Sequence, residues 1–242
     1  MENKKYELIQ GSEITICGDT NLMRIRALRD FGDVKKEDIG GYVQSEENLS
    51  HYGNCWVYND ARAYGDAIVF GDARAYGDAI VFGDARVYGD AIVFGDARVY
   101  GDARVYGDAR VCDNARVYGD ARVCDNAIVC DNARVYGDAR VYGDARVYGD
   151  ARVCDNARVF GDARVFGDAE VEGALDYIVF KNWWSSGRFF TWTRSNNMWK
   201  VGCFYGTGEA LIKKAYADSE RSGREYERIV KYVEEILRDE RE

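Results

Sequence analysis

The sequence predicts a mainly β protein whose centre is a parallel β-helix, a solenoid of stacked six-residue units. Three observations predict it. From Cys55 to Glu172 one unit, most often Ala-Arg-Val-Tyr-Gly-Asp, recurs about twenty times without a slip. Its third position, at 57, 63, 69 and onward to 171, is Val everywhere except Ala63 and Ala75. The 242 residues include no proline, which suits interior strands that must each donate to a neighbour.

The period settles the backbone. Six residues match neither the 3.6 of a helix nor its apolar spacing, and a Gly in most units would cost each helix roughly 1 kcal/mol. Within a unit Ala points in, Arg out, Val in and Tyr out, and Gly-Asp makes a bend: a four-residue strand and a corner. A Gly-Asp hairpin is the competing reading. It would set Tyr106 opposite Ala109 and Val105 opposite Arg110, so every face would mix Val with Arg. Stacking equivalent units keeps Val on Val and Arg on Arg. The solenoid wins.

The unit resembles the hexapeptide-repeat superfamily through an aliphatic residue every six with a small one two places earlier, such as Val105 with Ala103 and Val111 with Ala109. It departs from the commonest pattern in that Gly lies two places after the aliphatic residue rather than one. The resemblance implies a left-handed parallel β-helix with three units per triangular coil. Twenty units then give six to seven coils, a prism roughly 30 Å long at ~4.8 Å per strand. The chain is also similar to phage and prophage proteins carrying Tyr-Gly-Asp/Asn-Ala-Arg-Val arrays, with flanks like Arg24–Asp33, Gly40–Ser50 and Asn182–Gly208.

Before the shaft, residues 1–45 read as an N-terminal β cap, since a solenoid needs its raw end covered. Ile14–Cys17 and Leu22–Ala27 flank Gly18–Asn21 as a hairpin, leading to Gly40–Gly41. The shaft itself is 46–173. Sorting its units by three gives one wall more apolar than the others. Its outward positions include Trp56, Tyr58, Tyr76, Ile92, Phe94 and Ile128, a surface expected to mediate homo-oligomerisation. A plain ladder of stacked aromatics is the alternative. After Gly173 a small α+β module, 174–242, is predicted. Tyr177–Phe180, Phe189–Arg194 and Met198–Tyr205 alternate like strands, with turns near Ser185–Gly187 and Ser195–Asn197. Thr207 is a helix N-cap for a segment ending about Asp218. A second helix from about Gly223 to Arg238 carries an apolar stripe of Tyr226, Ile229, Val230, Val233, Ile236 and Leu237.

Charge narrows the partners. The net charge is −9, and residues 55–172 carry 14 Arg against 21 Asp and Glu, so the shaft repels a duplex backbone. No apolar run is long enough to span a membrane and no signal peptide is evident; a bacterial host cytoplasm is the expected setting. The seven cysteines (17, 55, 112, 124, 130, 154, 203) lack CxxC spacing and read as small side chains in a reducing compartment. Cys112 and Cys130, 18 residues apart, fall on adjacent coils of one face, where oxidation would be an artefact. Stacked corner aspartates invite a calcium reading. An Arg in most units and the missing Asp-rich nonapeptide point instead to solvation, so no metal and no cofactor is expected.

The module holds the candidate site: Trp183, Trp184, Ser185, Ser186, Arg188, Trp192, Arg194, Trp199 and Lys200. Rings beside guanidinium groups suit a protein hot spot, a nucleotide or a single-stranded base. The alternative is that the tryptophans are the core of a small domain with charges at its rim. No catalytic residue is assigned. Acyltransferase relatives use a His base beside an extruded loop, whereas the single His51 lies at the entry to the coils and nothing interrupts them. Three functional readings follow. The first is a non-catalytic binding protein that presents the module to a host protein, inhibiting a bacterial defence system. The second is a sponge for a signalling nucleotide at a subunit junction, and the third an acyltransferase relative.

Overall fold

The computed structural model describes residues 4–16 and 19–239. Four strands come first: β1 (Tyr6–Leu8), β2 (Ile14–Ile16), β3 (Thr20–Ala27) and β4 (Ile39–Val43). Twenty two-residue strands follow at six-residue intervals, from β5 (Trp56–Val57) to β24 (Glu170–Val171). A meander of β25 (Tyr177–Lys181), β26 (Phe189–Thr193), β27 (Met198–Val201) and β28 (Phe204–Gly206) leads to α1 (Gly208–Asp218) and α2 (Glu220–Asp239).

Each shaft strand pairs in parallel with the strand 18 residues on, as Val87 with Val105, Val93 with Val111 and Val99 with Val117. The strands therefore sort into three walls. Wall 1 runs from Arg62–Ala63 to Glu170–Val171, wall 2 from Ile68–Val69 to Arg158–Val159, and wall 3 from Trp56–Val57 to Arg164–Val165. The four-residue strand of the sequence pattern narrows to two paired residues, because the ladder bonds flank them. Arg104 N–H donates to the Ala121 carbonyl (2.9 Å) and Tyr106 N–H to the Val123 carbonyl (3.0 Å). Every first-position Ala and third-position Val in the shaft is at most 1% exposed. Each Val buried this way contributes about 2 kcal/mol.

The corner explains the Asp-Asn units. Gly107 has φ +70°, and a Cβ there would meet Asp125 N at 2.9 Å. Asp113, Asp125, Asp131 and Asp155 hold the same left-handed conformation at φ 54° to 61°. Two of them offset its cost with a bond to the next coil: Asp125 Oδ2 accepts from Gly143 N–H (3.1 Å) and Asp131 Oδ2 from Gly149 N–H (3.0 Å). Outside the corners the rings stack at one-coil spacing, Tyr100 on Tyr118 at 4.9 Å and Tyr118 on Tyr136 at 5.0 Å. Cys112 and Cys130, in successive coils of wall 3, are joined by a disulfide with Cα atoms 4.6 Å apart. The expectation of unpaired thiols therefore does not extend to this pair.

The N-terminal strands continue wall 1. β4 pairs in parallel with Arg62–Ala63 and antiparallel with β3, which β1 and β2 flank. The expected hairpin forms between β2 and β3; Cys17 and Gly18 lie outside the described residues. The walls also begin earlier than the repeat suggests. Val43 pairs with Ala63 and Leu49 bridges to Val69, each 20 residues on, so two extra residues loop out before Trp56. The plug is packed, not merely draped. Tyr6 and Phe31 meet the Trp56 ring edge-on at 6.0 and 5.3 Å. Fully buried Lys5 donates to the Cys55 carbonyl (2.8 Å) and its Nζ lies 3.2 Å from Cys55 Sγ; burial lowers its pKa.

At the other end the segment Met198–Tyr205 divides into β27 and β28, because Gly202 at φ +56° lets the chain reverse. Thr207 caps α1 by accepting from Ala210 N–H (3.3 Å), and α2 starts at Glu220, earlier than the pattern implied. Tyr226, Val230 and Val233 of its stripe are buried in a core shared with α1 and the meander, with Ile229 and Leu237 partly so. Among the described residues no helix is long and apolar enough to cross a membrane.

Candidate functional site

Terminal solenoid strands leave backbone N–H groups without a following coil, and such groups need acceptors when buried. The meander supplies them on two walls. Thr191 Oγ1 accepts from Arg164 N–H on wall 3 (2.8 Å), and Ser195 Oγ accepts from Glu170 N–H on wall 1 (2.7 Å). Asp176 Oδ2 takes Glu172 N–H and Gly173 N–H at 2.8 and 2.7 Å. Tyr177 joins the shaft core as its last inward residue. The C-terminal module is therefore first a cap, a role the sequence reading did not assign.

That role splits the predicted cluster across the two sides of one sheet. Trp192 and Trp199 face the helices, 1% and 2% exposed, in a core with Phe190, Tyr226 and Val230. Trp192 Nε1 donates to Asn197 Oδ1 (2.8 Å). Trp184 joins the same core, edge-on to Tyr226 at 4.9 Å, and its Nε1 has no partner among the described residues. Lys200 faces the shaft, its ammonium 4.1 Å from the Phe166 ring centre. Its pKa is lowered by burial and then by the Arg164 charge. Arg194 lies past the end of β26, where its Nε donates to the Leu175 carbonyl (3.0 Å).

Four members stay together in the loop between β25 and β26. Trp183 is 68% exposed, beside exposed Ser185, Ser186 and Arg188. A buried residue absent from the predicted set, Asn182, holds this loop. Its Oδ1 accepts from Ser185 N–H and Oγ (2.9 Å each), and its Nδ2 donates to Tyr226 Oη on α2 (3.0 Å). The local cue was an Asn closing a strand ahead of Ser and Gly, an Asx-turn setting.

The predicted oligomer wall changes at its root. Trp56 is buried under the plug, and Tyr58 donates to Asp33 Oδ1 (2.6 Å) while stacking on Tyr76 at 4.3 Å. Ile92, Phe94 and Ile128 remain half-buried along the wall. His51 is held in the plug, stacked on Tyr6 at 4.4 Å with Nδ1 accepting from Lys5 N–H (3.3 Å).

Wall 2 ends differently. A cleft of about 850 Å³ opens between its last strand and the meander, lined by Phe160, Ile178, Val179 and Phe189, with Arg158 and Asp162 among the lining groups. This wall alone carries five arginines in successive coils: Arg86, Arg104, Arg122, Arg140 and Arg158. Corner aspartates accompany the row: Asp84 and Asp102 line one groove with Arg86 and Arg104, and Asp162 lies in the cleft with Arg158.

A family model for the YdcK beta solenoid repeat matches the shaft in seven segments, at 85–101, 97–113, 109–125, 127–143, 133–149, 139–155 and 151–167. These segments are similar to that repeat, and with the stacked walls they support a repeat β-helix. A search of curated proteins found no match.

Proposed function

We propose that this chain is a non-catalytic binding scaffold, a stiff end-capped solenoid that presents its C-terminal module to a protein partner. One observation carries the reading. Of the aromatic-basic cluster, the buried rings build a cap and core, while Trp183 and Arg188 stand exposed on a loop braced by Asn182. Trp and Arg on a preorganised loop are the residues that dominate protein hot spots, and bracing reduces the ordering cost of binding. The likeness to phage and prophage proteins extends the proposal to a host protein, with inhibition of a bacterial defence component in the host cytoplasm as its setting. Self-association through Ile92, Phe94 and Ile128 of wall 3 belongs to the same proposal; a monomeric mass at micromolar concentration refutes that part.

The test is native mass spectrometry of the chain purified from a bacterial host, beside a Trp183→Ala, Arg188→Ala variant. A co-purified protein lost from the variant supports the reading. A retained small anion favours the nucleotide sponge instead. Acyl-CoA turnover abolished by His51→Ala would establish an acyltransferase.

A further inference from the structure

The aromatic ladder of wall 2 lacks one rung. Its outward fourth-position residues run Phe70, Tyr88, Tyr106, Cys124, Tyr142 and Phe160 in successive coils. Rings stack on both sides of the break, Tyr88 on Tyr106 at 4.9 Å and Tyr142 on Phe160 at 5.4 Å, with a thiol between them. The other cysteines at this position leave no such gap. Cys112 and Cys130 fill neighbouring rungs with their disulfide, and Cys154 has Glu172 rather than a ring on its far side. At Cys124 a cavity of about 200 Å³ remains, bounded by Tyr106, Tyr142, Arg122, Arg140 and Arg158. A cavity of roughly 150 Å³ is enough to hold benzene. Tyr106 donates to the Cys124 sulfur yet lies 3° from parallel to Tyr88, so it does not lean into the space.

The lining decides the ligand. Two rings two coils apart leave room for one more at the ladder's own spacing, which is 4.9 Å for Tyr100 on Tyr118. Among the described residues three guanidinium groups line the slot and no carboxylate does, unlike the grooves that hold Asp84, Asp102 and Asp162. The adjoining Asp125 already accepts from Gly143 N–H. The charge that completes the site is therefore negative. We propose that the slot binds a small planar aromatic anion, its ring filling the missing rung between Tyr106 and Tyr142 and its carboxylate, sulfonate or phosphate meeting Arg122 and Arg140. Cys124 contributes by being small, since the repeat's usual tyrosine would occupy the same space. The site lies mid-shaft, away from the Trp183 loop. It goes beyond the protein-binding reading and does not rest on it.

Calorimetry and proton NMR on the full chain test this with 2-naphthoate, 2-naphthamide and cyclohexanecarboxylate. 2-Naphthoate should bind at one site, its ring protons moved upfield by the two tyrosines. The neutral amide should bind about tenfold more weakly for want of the charged hydrogen bonds, and cyclohexanecarboxylate should not bind. The double variant Arg122→Gln, Arg140→Gln should bring 2-naphthoate down to the amide's affinity and leave the amide unchanged. Cys124→Tyr restores the repeat's own residue, so the shaft folds as before, and it should abolish binding of both naphthyl probes. Cys124→Ser keeps the slot open and should retain it. No binding of 2-naphthoate overturns the proposal, as does binding that survives Cys124→Tyr or that cyclohexanecarboxylate matches. Loss of 2-naphthoate binding in Trp183→Ala, Arg188→Ala would also overturn it, placing the anion on the cap loop instead.

Discussion

Deleting Ala133–Asp150 removes one complete coil and joins Asn132 to Ala151. Val117, which pairs with Val135, then meets Val153, the residue Val135 itself pairs with. All three walls stay in phase, and the array loses one of its nearest-neighbour layers. Deleting only eight residues, Ala133–Arg140, leaves ten to travel round a circuit that takes 18. Ten extended residues reach at most about 36 Å, so one wall loses its strand at that level. An interior strand such as Arg140–Val141 is held by at least four ladder bonds, those given by Arg140 and Tyr142 N–H and those received from Arg122 and Cys124 N–H. At about 1 kcal/mol each, with roughly 3 kcal/mol for one Val and one Ala exposed, the loss is on the order of 7 kcal/mol. That approaches the whole stability of an ordinary domain. Thermal melts followed by far-UV circular dichroism should show the 18-residue deletion folding and melting within several degrees of the parent. The eight-residue deletion should melt far lower or lack a cooperative transition. Equal melting temperatures would refute the stacked-coil argument.

Val117→Ala, at a fully buried mid-shaft position, should cost about 2 kcal/mol in urea unfolding. Trp192→Phe breaks the bond to Asn197 and should destabilise more than Trp184→Phe, whose Nε1 has no partner to lose among the described residues; paired denaturation curves would check the order. Tyr106 and Tyr136 are pushed up to about 12, first by donating to the Cys124 and Cys154 sulfurs and then by burial. Their folded pKa exceeds the unfolded value, so the stability they contribute is present below about pH 10 and lost toward pH 12. The urea midpoint should fall over that range, and less in a Tyr106→Phe, Tyr136→Phe variant.

The shaft was legible because its signal is periodic: each buried Val repeats the same inward instruction, and pairing arithmetic excluded the hairpin. Legibility failed where the phase changed. Val43 and Leu49 belong to the walls, but two extra residues before Trp56 hide them from a strict six-residue count. The cap escaped notice for another reason. Thr191 and Ser195 act through hydroxyls that satisfy two terminal N–H groups, and single acceptors leave no spacing pattern. In the candidate cluster, alternation correctly put Phe190 and Trp192 on one side, yet Arg194 lies beyond the strand and Lys200 turns to the shaft. Sequence supplied the aromatic and basic inventory; only packing separated exposed Trp183 from the rings that hold the module together.

The meander closes the three walls unequally: hydroxyls take Arg164 and Glu170 N–H, while on wall 2 Tyr177 Oη holds the Arg158 carbonyl and not its N–H. Residue-resolved amide exchange on the free, full chain measures this directly. Arg164 and Glu170 N–H should exchange slowly behind their hydroxyl acceptors, and Arg158 N–H orders of magnitude faster. Similar rates at all three amides would contradict it.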